Sequence, residues 1–147
     1  QSGRRRIAFC GTEMPDRLEG FRNAFIRMGR SCEPDFFIKT TSLNMEDGYG
    51  CGDILMTKDF DAAFFGTDRA ALGFLKYCYE RQISVPKKIA VIGFDDDPAG
   101  QYSCPSLSSV SQPIDEISAV IADLAARKDV TPLDTVLPTR FIVRESI

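Results

Sequence analysis

Short apolar runs alternate with amphipathic segments along the 147 residues of the chain. Runs of strand length lie at 7–11, 35–38, 60–66, 89–94, 107–111 and 139–143. Apolar residues recur every three or four positions, as on one face of a helix, at 16–28, at 68–81 and from Pro113 onward, and more weakly at the glycine-rich segment 46–56. This alternation predicts a three-layer α/β fold, a parallel sheet with helices on both faces.

The composition is that of a soluble globular chain, with 44% apolar and 27% charged residues. The length leaves room for one domain, so we expect a single unit over 1–147. A net charge of -3 argues against a DNA-binding surface, and we interpret the basic cluster at 4–6 as a solvated chain end. No apolar run approaches the ~20 residues of a membrane helix, so no membrane contact is expected.

The cysteines constrain the chemistry and the compartment. The chain has five cysteines and no histidine, and it has no CxxC pair, so a Cys/His zinc site is excluded and no metal or cofactor is predicted. Free thiols are typical of a reducing compartment, which predicts a cytoplasmic location. We interpret residues 1–3 (Gln-Ser-Gly) as a cloning remnant and expect the chain to be a fragment of a longer protein.

Polar side chains follow three of the predicted strands. Glu13 and Arg17 follow the first, Thr67 and Asp68 the third, and Asp95 the fourth. In an open parallel sheet, ligands bind beyond the carboxyl ends of the strands, where the strand order reverses. Arginine forks, carboxylates and hydroxyls bind hydroxyl, carboxylate or amide groups there. Each residue alone could be structural, since Asp68 also suits a helix start, but their convergence predicts a small-molecule site.

Several motifs together resemble the LacI/GalR family of transcriptional regulators over most of the chain. They lie, in fitting order and spacing, at 5–9, 17–21, 67–73, 85–96, 105–113 and 144–146. The most specific are Gly-Phe-Asp-Asp at 93–96 and Pro-Ser-Leu-Ser-Ser-Val-Ser-Gln at 105–112. These two favour regulators over the secreted sugar-binding proteins that share the fold.

The resemblance implies a periplasmic-binding-protein-like subdomain that senses a small polar effector, such as a sugar or a related metabolite, without catalysis. It assigns effector contacts to Arg17 and Asp95, and it makes Gln112 a polar residue near the effector. Thr67 replaces an asparagine of the family pattern, and Leu43 lies near the position of a stacking aromatic residue. Both departures disfavour an ordinary hexose.

The resemblance also implies missing parts. The family's DNA-binding headpiece, hinge helix and first subdomain have no counterpart in the chain, so DNA contact is expected only through the parent protein. The segment from Ile114 to about Lys128 packs in that first subdomain in the family. Its apolar stripe, left without this partner, predicts a homodimer or a helix refolded onto its own sheet.

Rival functions lack their defining residues. Asp95-Asp96-Asp97 suggests a magnesium site for phosphoryl transfer, but no nucleophilic aspartate follows the first strand and no phosphate-binding loop is present. A phospho-receiver domain lacks its lysine in a fitting loop, and a cysteine nucleophile lacks a histidine base. We therefore predict no enzyme activity. A periplasmic-type sugar-binding protein remains the alternative.

Overall fold

A computed structural model describes residues 3–126 and 135–147 of the chain. The strands are β1 (Ile7–Gly11), β2 (Phe37–Lys39), β3 (Ala62–Phe65), β4 (Ala90–Asp95), β5 (Ser108–Ser111) and β6 (Arg140–Ile142). They form one sheet in the order β2-β1-β3-β4-β5-β6. The first five strands are parallel, as predicted, whereas β6 is antiparallel to β5. An antiparallel edge strand on a parallel sheet is a common arrangement.

The helices follow the predicted alternation. They are α1 (Pro15–Arg27), α2 (Met45–Gly50), α3 (Gly52–Thr57), α4 (Asp68–Glu80) and α5 (Ile114–Ala126), with 3-10 turns at Pro34–Phe36 and Pro98–Gln101. The predicted helix 46–56 is thus two short helices that meet at Cys51. The start of α4 is capped by Thr67, whose Oγ1 accepts a hydrogen bond from the Ala70 amide at 3.3 Å.

Aromatic contacts place helices on both faces of the sheet. Phe9 of β1 lies beside Phe64 of β3 on one face, and Phe65, the next residue, points to the other. The Phe21 ring of α1 lies 5.7 Å from Phe9, and the Phe74 ring of α4 lies 5.3 Å from Phe65. Helices α1 and α4 therefore cover opposite faces, which confirms the three-layer prediction.

The strand order reverses at β1. The chain passes from β1 to β2 at one edge and returns to β3 on the other side of β1. The carboxyl ends of β1 and β3 therefore border the crevice where a ligand is expected. Leu43 lies at this point: a Cβ on Gly66 would be 3.2 Å from Leu43 Cδ2, and one on Gly11 would be 3.6 Å from the same atom.

Helices α2 and α4 touch backbone to backbone. A Cβ on Gly48 would lie 1.8 Å from the Ala70 carbonyl oxygen, and a Cβ on Gly73 would lie 1.9 Å from the Met45 carbonyl oxygen. Only glycine at both positions permits this approach. Within the described parts of the chain, no helix is long and apolar enough to cross a membrane.

Helix α5 stands apart from the core. It has no buried residue, and the side chains of Ile114 and Ile121 are 58% and 60% exposed. The expected uncovered stripe is confirmed, and in this structure the helix is not folded back onto the sheet. The predicted continuation to Lys128 lies outside the described residues.

Candidate ligand-binding site

Arg17, in the first turn of α1, reaches over the ends of β3 and β4. One guanidinium nitrogen donates to the Gly66 carbonyl, and the Arg17 Cζ lies 3.8 Å from the centroid of the Phe94 ring. A cation stacked on a ring at this distance is attracted to it electrostatically. Burial lowers the pKa of Arg17 while the charge of Asp95 raises it, and an arginine keeps its proton in any case. The crevice therefore contains a cation with a fixed orientation.

Asp95, at the end of β4, supplies a nearby acceptor. Its Oδ1 accepts a hydrogen bond from Gln112 Nε2 at 2.8 Å. Burial raises the pKa of Asp95, while the Gln112 bond and the Arg17 charge lower it. The structure thus brings together three predicted residues from separate parts of the chain: Arg17 of α1, Asp95 of β4 and Gln112 from the segment after β5. A donor fork beside a carboxylate can bind a ligand with neighbouring hydroxyl groups.

The turn that carries Asp95 has an unusual backbone. Asp95 has φ 115° and Asp96 has φ 58°, a left-handed region that costs a non-glycine residue roughly 1–3 kcal/mol. Two backbone amides of the turn donate hydrogen bonds to buried side chains beneath it. The Asp96 amide donates to Ser109 Oγ at 3.1 Å, and the Asp97 amide donates to Asp68 Oδ2 at 2.7 Å. The acceptor Asp95 is therefore presented by a turn that its surroundings keep in place.

Asp68 lies behind this turn. It is 1% exposed, and its second oxygen accepts a hydrogen bond from Ser109 Oγ at 2.6 Å. Gly93 leaves space for it, since a Cβ there would lie 1.9 Å from Asp68 Oδ1. Burial raises the pKa of Asp68, and its two hydrogen bonds oppose that shift. Both oxygens are engaged within the protein, and the predicted direct contact with a ligand stays a prediction.

Thr67 and Glu13 lie at the borders of the crevice. Thr67 Oγ1 donates to the Leu43 carbonyl at 2.8 Å in addition to capping α4. Glu13 forms an exposed ion pair with Lys39 at 2.5 Å, and the pKa of Glu13 is lowered by it. Thr67 therefore links the loops after β2 and β3, and Glu13 links the loop after β1 to the last residue of β2. Their ligand contacts stay predictions.

Three residues of the site were not predicted as such: Phe94, Ser109 and Arg144. Arg144 donates to the Leu107 carbonyl and to Asp96 Oδ1, both at 2.6 Å. All three lie within sequence motifs, and this was the one sign that they matter. A motif does not show which residues its members contact, so their place in the site could not be predicted. Among residues 3–126 and 135–147, no three His, Cys, Asp or Glu side chains form a group suited to a metal ion.

Comparisons with known proteins agree with this architecture. The family model for the periplasmic binding protein-like domain matches residues 1–147. The ribose operon repressor of Escherichia coli is 31% identical over 118 residues, 79% of this chain and 36% of the repressor. The structure of a LacI-family transcriptional regulator from Sanguibacter keddieii is 29% identical, with a TM-score of 0.87 over 98% of this chain and 58% of that one.

A regulator bound to a sugar is also similar. The complex of the transcriptional regulator CelR with cellobiose is 27% identical, with a TM-score of 0.85 over 99% of this chain and 47% of that one. The chain spans between 36% and 47% of the length of the curated relatives that it matches. The family model covers the chain from end to end, and the chain belongs to the periplasmic binding protein-like domain family, in the form carried by LacI-type transcriptional regulators.

Proposed function

We propose that this chain is the effector-sensing portion of a LacI-type transcriptional regulator and that its crevice binds a sugar or a related polyhydroxy metabolite. The observation that carries the proposal is the Arg17 guanidinium, held over the ends of β3 and β4 next to the point where the strand order reverses, with the Asp95 carboxylate at the end of β4. The relatives are transcriptional regulators rather than enzymes. We infer that the chain senses its ligand without transforming it, in the cytoplasm.

The chemistry of the crevice favours hydroxyl groups. A hydroxyl both donates and accepts, so two neighbouring hydroxyls can accept from Arg17 and donate to Asp95. Such charge-assisted hydrogen bonds contribute roughly 1.5–3 kcal/mol each. Leu43 gives the crevice an aliphatic side chain where a stacking ring would favour a hexose. We therefore expect polar contacts, rather than stacking, to select the ligand, with Asp68 acting through the turn that it holds.

Sensing requires a second wall. We propose that another part of the parent protein closes over the crevice and that the ligand prefers the closed arrangement. A ligand shifts such an equilibrium only by its difference in affinity for the two states. DNA binding would then belong to the parent's headpiece, because this chain has a net charge of -3. Because this chain forms only one side of the proposed site, it should bind a ligand weakly on its own.

A titration followed by NMR tests the proposal. Cellobiose and D-ribose are the probes, because relatives are named for them or bound to them. We expect millimolar binding of at least one sugar, with shifts confined to Arg17, Thr67, Asp95, Gln112 and their neighbours. Sucrose serves as the control for unspecific shifts. Binding in the micromolar range would contradict the one-wall proposal, and shifts away from the crevice would contradict the site.

The exposed stripe of α5 predicts self-association of the chain. Ile114 and Ile121 are seven residues apart and lie on one helix face, and we propose that a second copy covers them. The chain should elute as a homodimer in size-exclusion chromatography with light scattering, and Ile121→Glu should convert it to a folded monomer whose thermal unfolding no longer shifts with protein concentration. Ala122→Glu, on another face of the same helix, is the control. A monomeric unmodified chain would contradict the homodimer.

A further inference from the structure

The Asp95–Asp96 turn is held by two segments of the chain, one that leads from β5 into α5 and one that follows β6. The outgoing connection follows β5 and contains Gln112, which donates to Asp95 Oδ1 at 2.8 Å. The segment that follows β6 contains Arg144, which donates to Asp96 Oδ1 at 2.6 Å. Each of the two successive aspartates is therefore bound to a different segment of the chain.

Arg144 is itself fixed in the sheet. A second guanidinium nitrogen donates to the Leu107 carbonyl at 2.6 Å, and the Arg144 amide donates to Ser108 Oγ at 2.8 Å. The Arg144 and Asp96 side chains are 14% and 22% exposed, so water screens this pair less than it screens an ion pair on the surface. A rigid, partly buried arginine with two acceptors can determine where the Asp96 carboxylate lies.

The backbone of the turn needs such a partner. Asp95 and Asp96 both have positive φ, and neither position has the glycine for which this region is free of strain. Without the Arg144 contact, fewer bonds would oppose the strain of the turn, among them those of the Asp96 and Asp97 amides to Ser109 and Asp68. We expect the Asp95 backbone to relax toward negative φ in that case, which would move its carboxylate away from Gln112 and from the crevice.

We propose that Arg144 is a positioning residue for the ligand site: through Asp96 it fixes the left-handed turn that presents Asp95. The inference rests on the proposed function in that Asp95 is taken to contact the ligand. It adds a coupling between the site and α5, because Gln112, in the connection from β5 to that helix, binds Asp95 in the same turn. A displacement of α5 relative to the sheet would change the position of Asp95, and a ligand on Asp95 would oppose that displacement.

The side-chain amide of Gln112 reports on the turn without touching Arg144. In Arg144→Gln we expect its NMR resonances to move toward those of a free glutamine. The amides of Asp96 and Asp97 should exchange with solvent about tenfold faster, the effect of losing one charged hydrogen bond. Arg144→Lys keeps the charge and should restore part of both signals. It also provides the test if Arg144→Gln does not fold.

The matched control is the neighbouring residue. Glu145 anchors the same segment through the Ser106 amide at 2.9 Å and Ser106 Oγ at 3.0 Å, away from the turn. Glu145→Gln should therefore loosen the segment and leave the Gln112 amide resonances in place. Unchanged Gln112 resonances in both Arg144 variants, or equal movement in Glu145→Gln, would overturn the proposal.

Ligand binding gives an independent measurement. For whichever of cellobiose and D-ribose binds the unmodified chain, Kd should rise about tenfold in Arg144→Gln and less than about twofold in Glu145→Gln. If neither sugar binds, the proposed function loses its support, while the Gln112 resonances still decide whether Arg144 positions the turn. An unchanged Kd in a folded Arg144→Gln chain would contradict the positioning role.

Discussion

Gly73→Ala should destabilise the chain by about 3 kcal/mol, toward the upper end of the cost of overpacking a core. The new Cβ would lie 1.9 Å from the Met45 carbonyl oxygen and 2.7 Å from the Met45 carbonyl carbon, which are backbone atoms of α2. Helix α2 cannot easily move away from α4, because Gly48 of α2 also packs directly against the Ala70 carbonyl oxygen of α4. Urea unfolding of the variant, with an unchanged m-value, measures the loss of stability.

Gly50→Ala is the matched control. Gly50 lies in α2, the helix that Gly73 contacts, but a Cβ there would have no atom within 4 Å. Alanine in a helix is favoured over glycine by roughly 0.5–1 kcal/mol, so this variant should be as stable as the unmodified chain or more so. Equal destabilisation by the two substitutions would show that the close contact of α2 with α4 is not what requires glycine at position 73.

These glycines also explain where sequence patterns failed. Glycine lowers helix propensity, so the segment 46–56 was predicted as one weak helix. The structure has two helices there, and Gly48 and Gly52 serve packing: a Cβ on Gly52 would lie 2.4 Å from the Tyr77 ring. Propensity describes a helix in isolation, whereas this contact involves residues more than twenty positions away in the sequence. By contrast, the long periodic helices α1 and α4 were predicted to within one residue at each end.

The candidate site was predictable in its location but not in its hydrogen bonds. The strand alternation was enough to place Arg17 and Asp95 at one edge of the sheet. Asp68 lies at the same edge, yet its carboxylate is buried beneath the turn, 2.6 Å from Ser109 Oγ. Which carboxylate faces the crevice depends on backbone angles within the 95–97 turn. Those angles are set by long-range contacts, such as that of Arg144 with Asp96, which periodicity does not contain.

Arg17→Gln should reduce sugar binding by about two orders of magnitude, because glutamine loses both the positive charge and the two-pronged donor geometry. The arginine contributes more than a surface cation would, since the Gly66 carbonyl and the Phe94 ring fix its orientation before the ligand arrives. The measurement is Kd by NMR titration with whichever of cellobiose and D-ribose binds the unmodified chain.

The control for this variant lies on the same helix. Arg27 is exposed in the last turn of α1, at the end away from the crevice, so Arg27→Gln should change Kd by less than about twofold. Thermal unfolding of Arg17→Gln should show a loss of roughly 1–3 kcal/mol in stability, because Gly66 is buried and its carbonyl loses the Arg17 donor. If Arg17→Gln folds and binds the sugar as tightly as the unmodified chain does, the ligand does not contact Arg17, and the crevice between the ends of β1 and β3 is not its binding site.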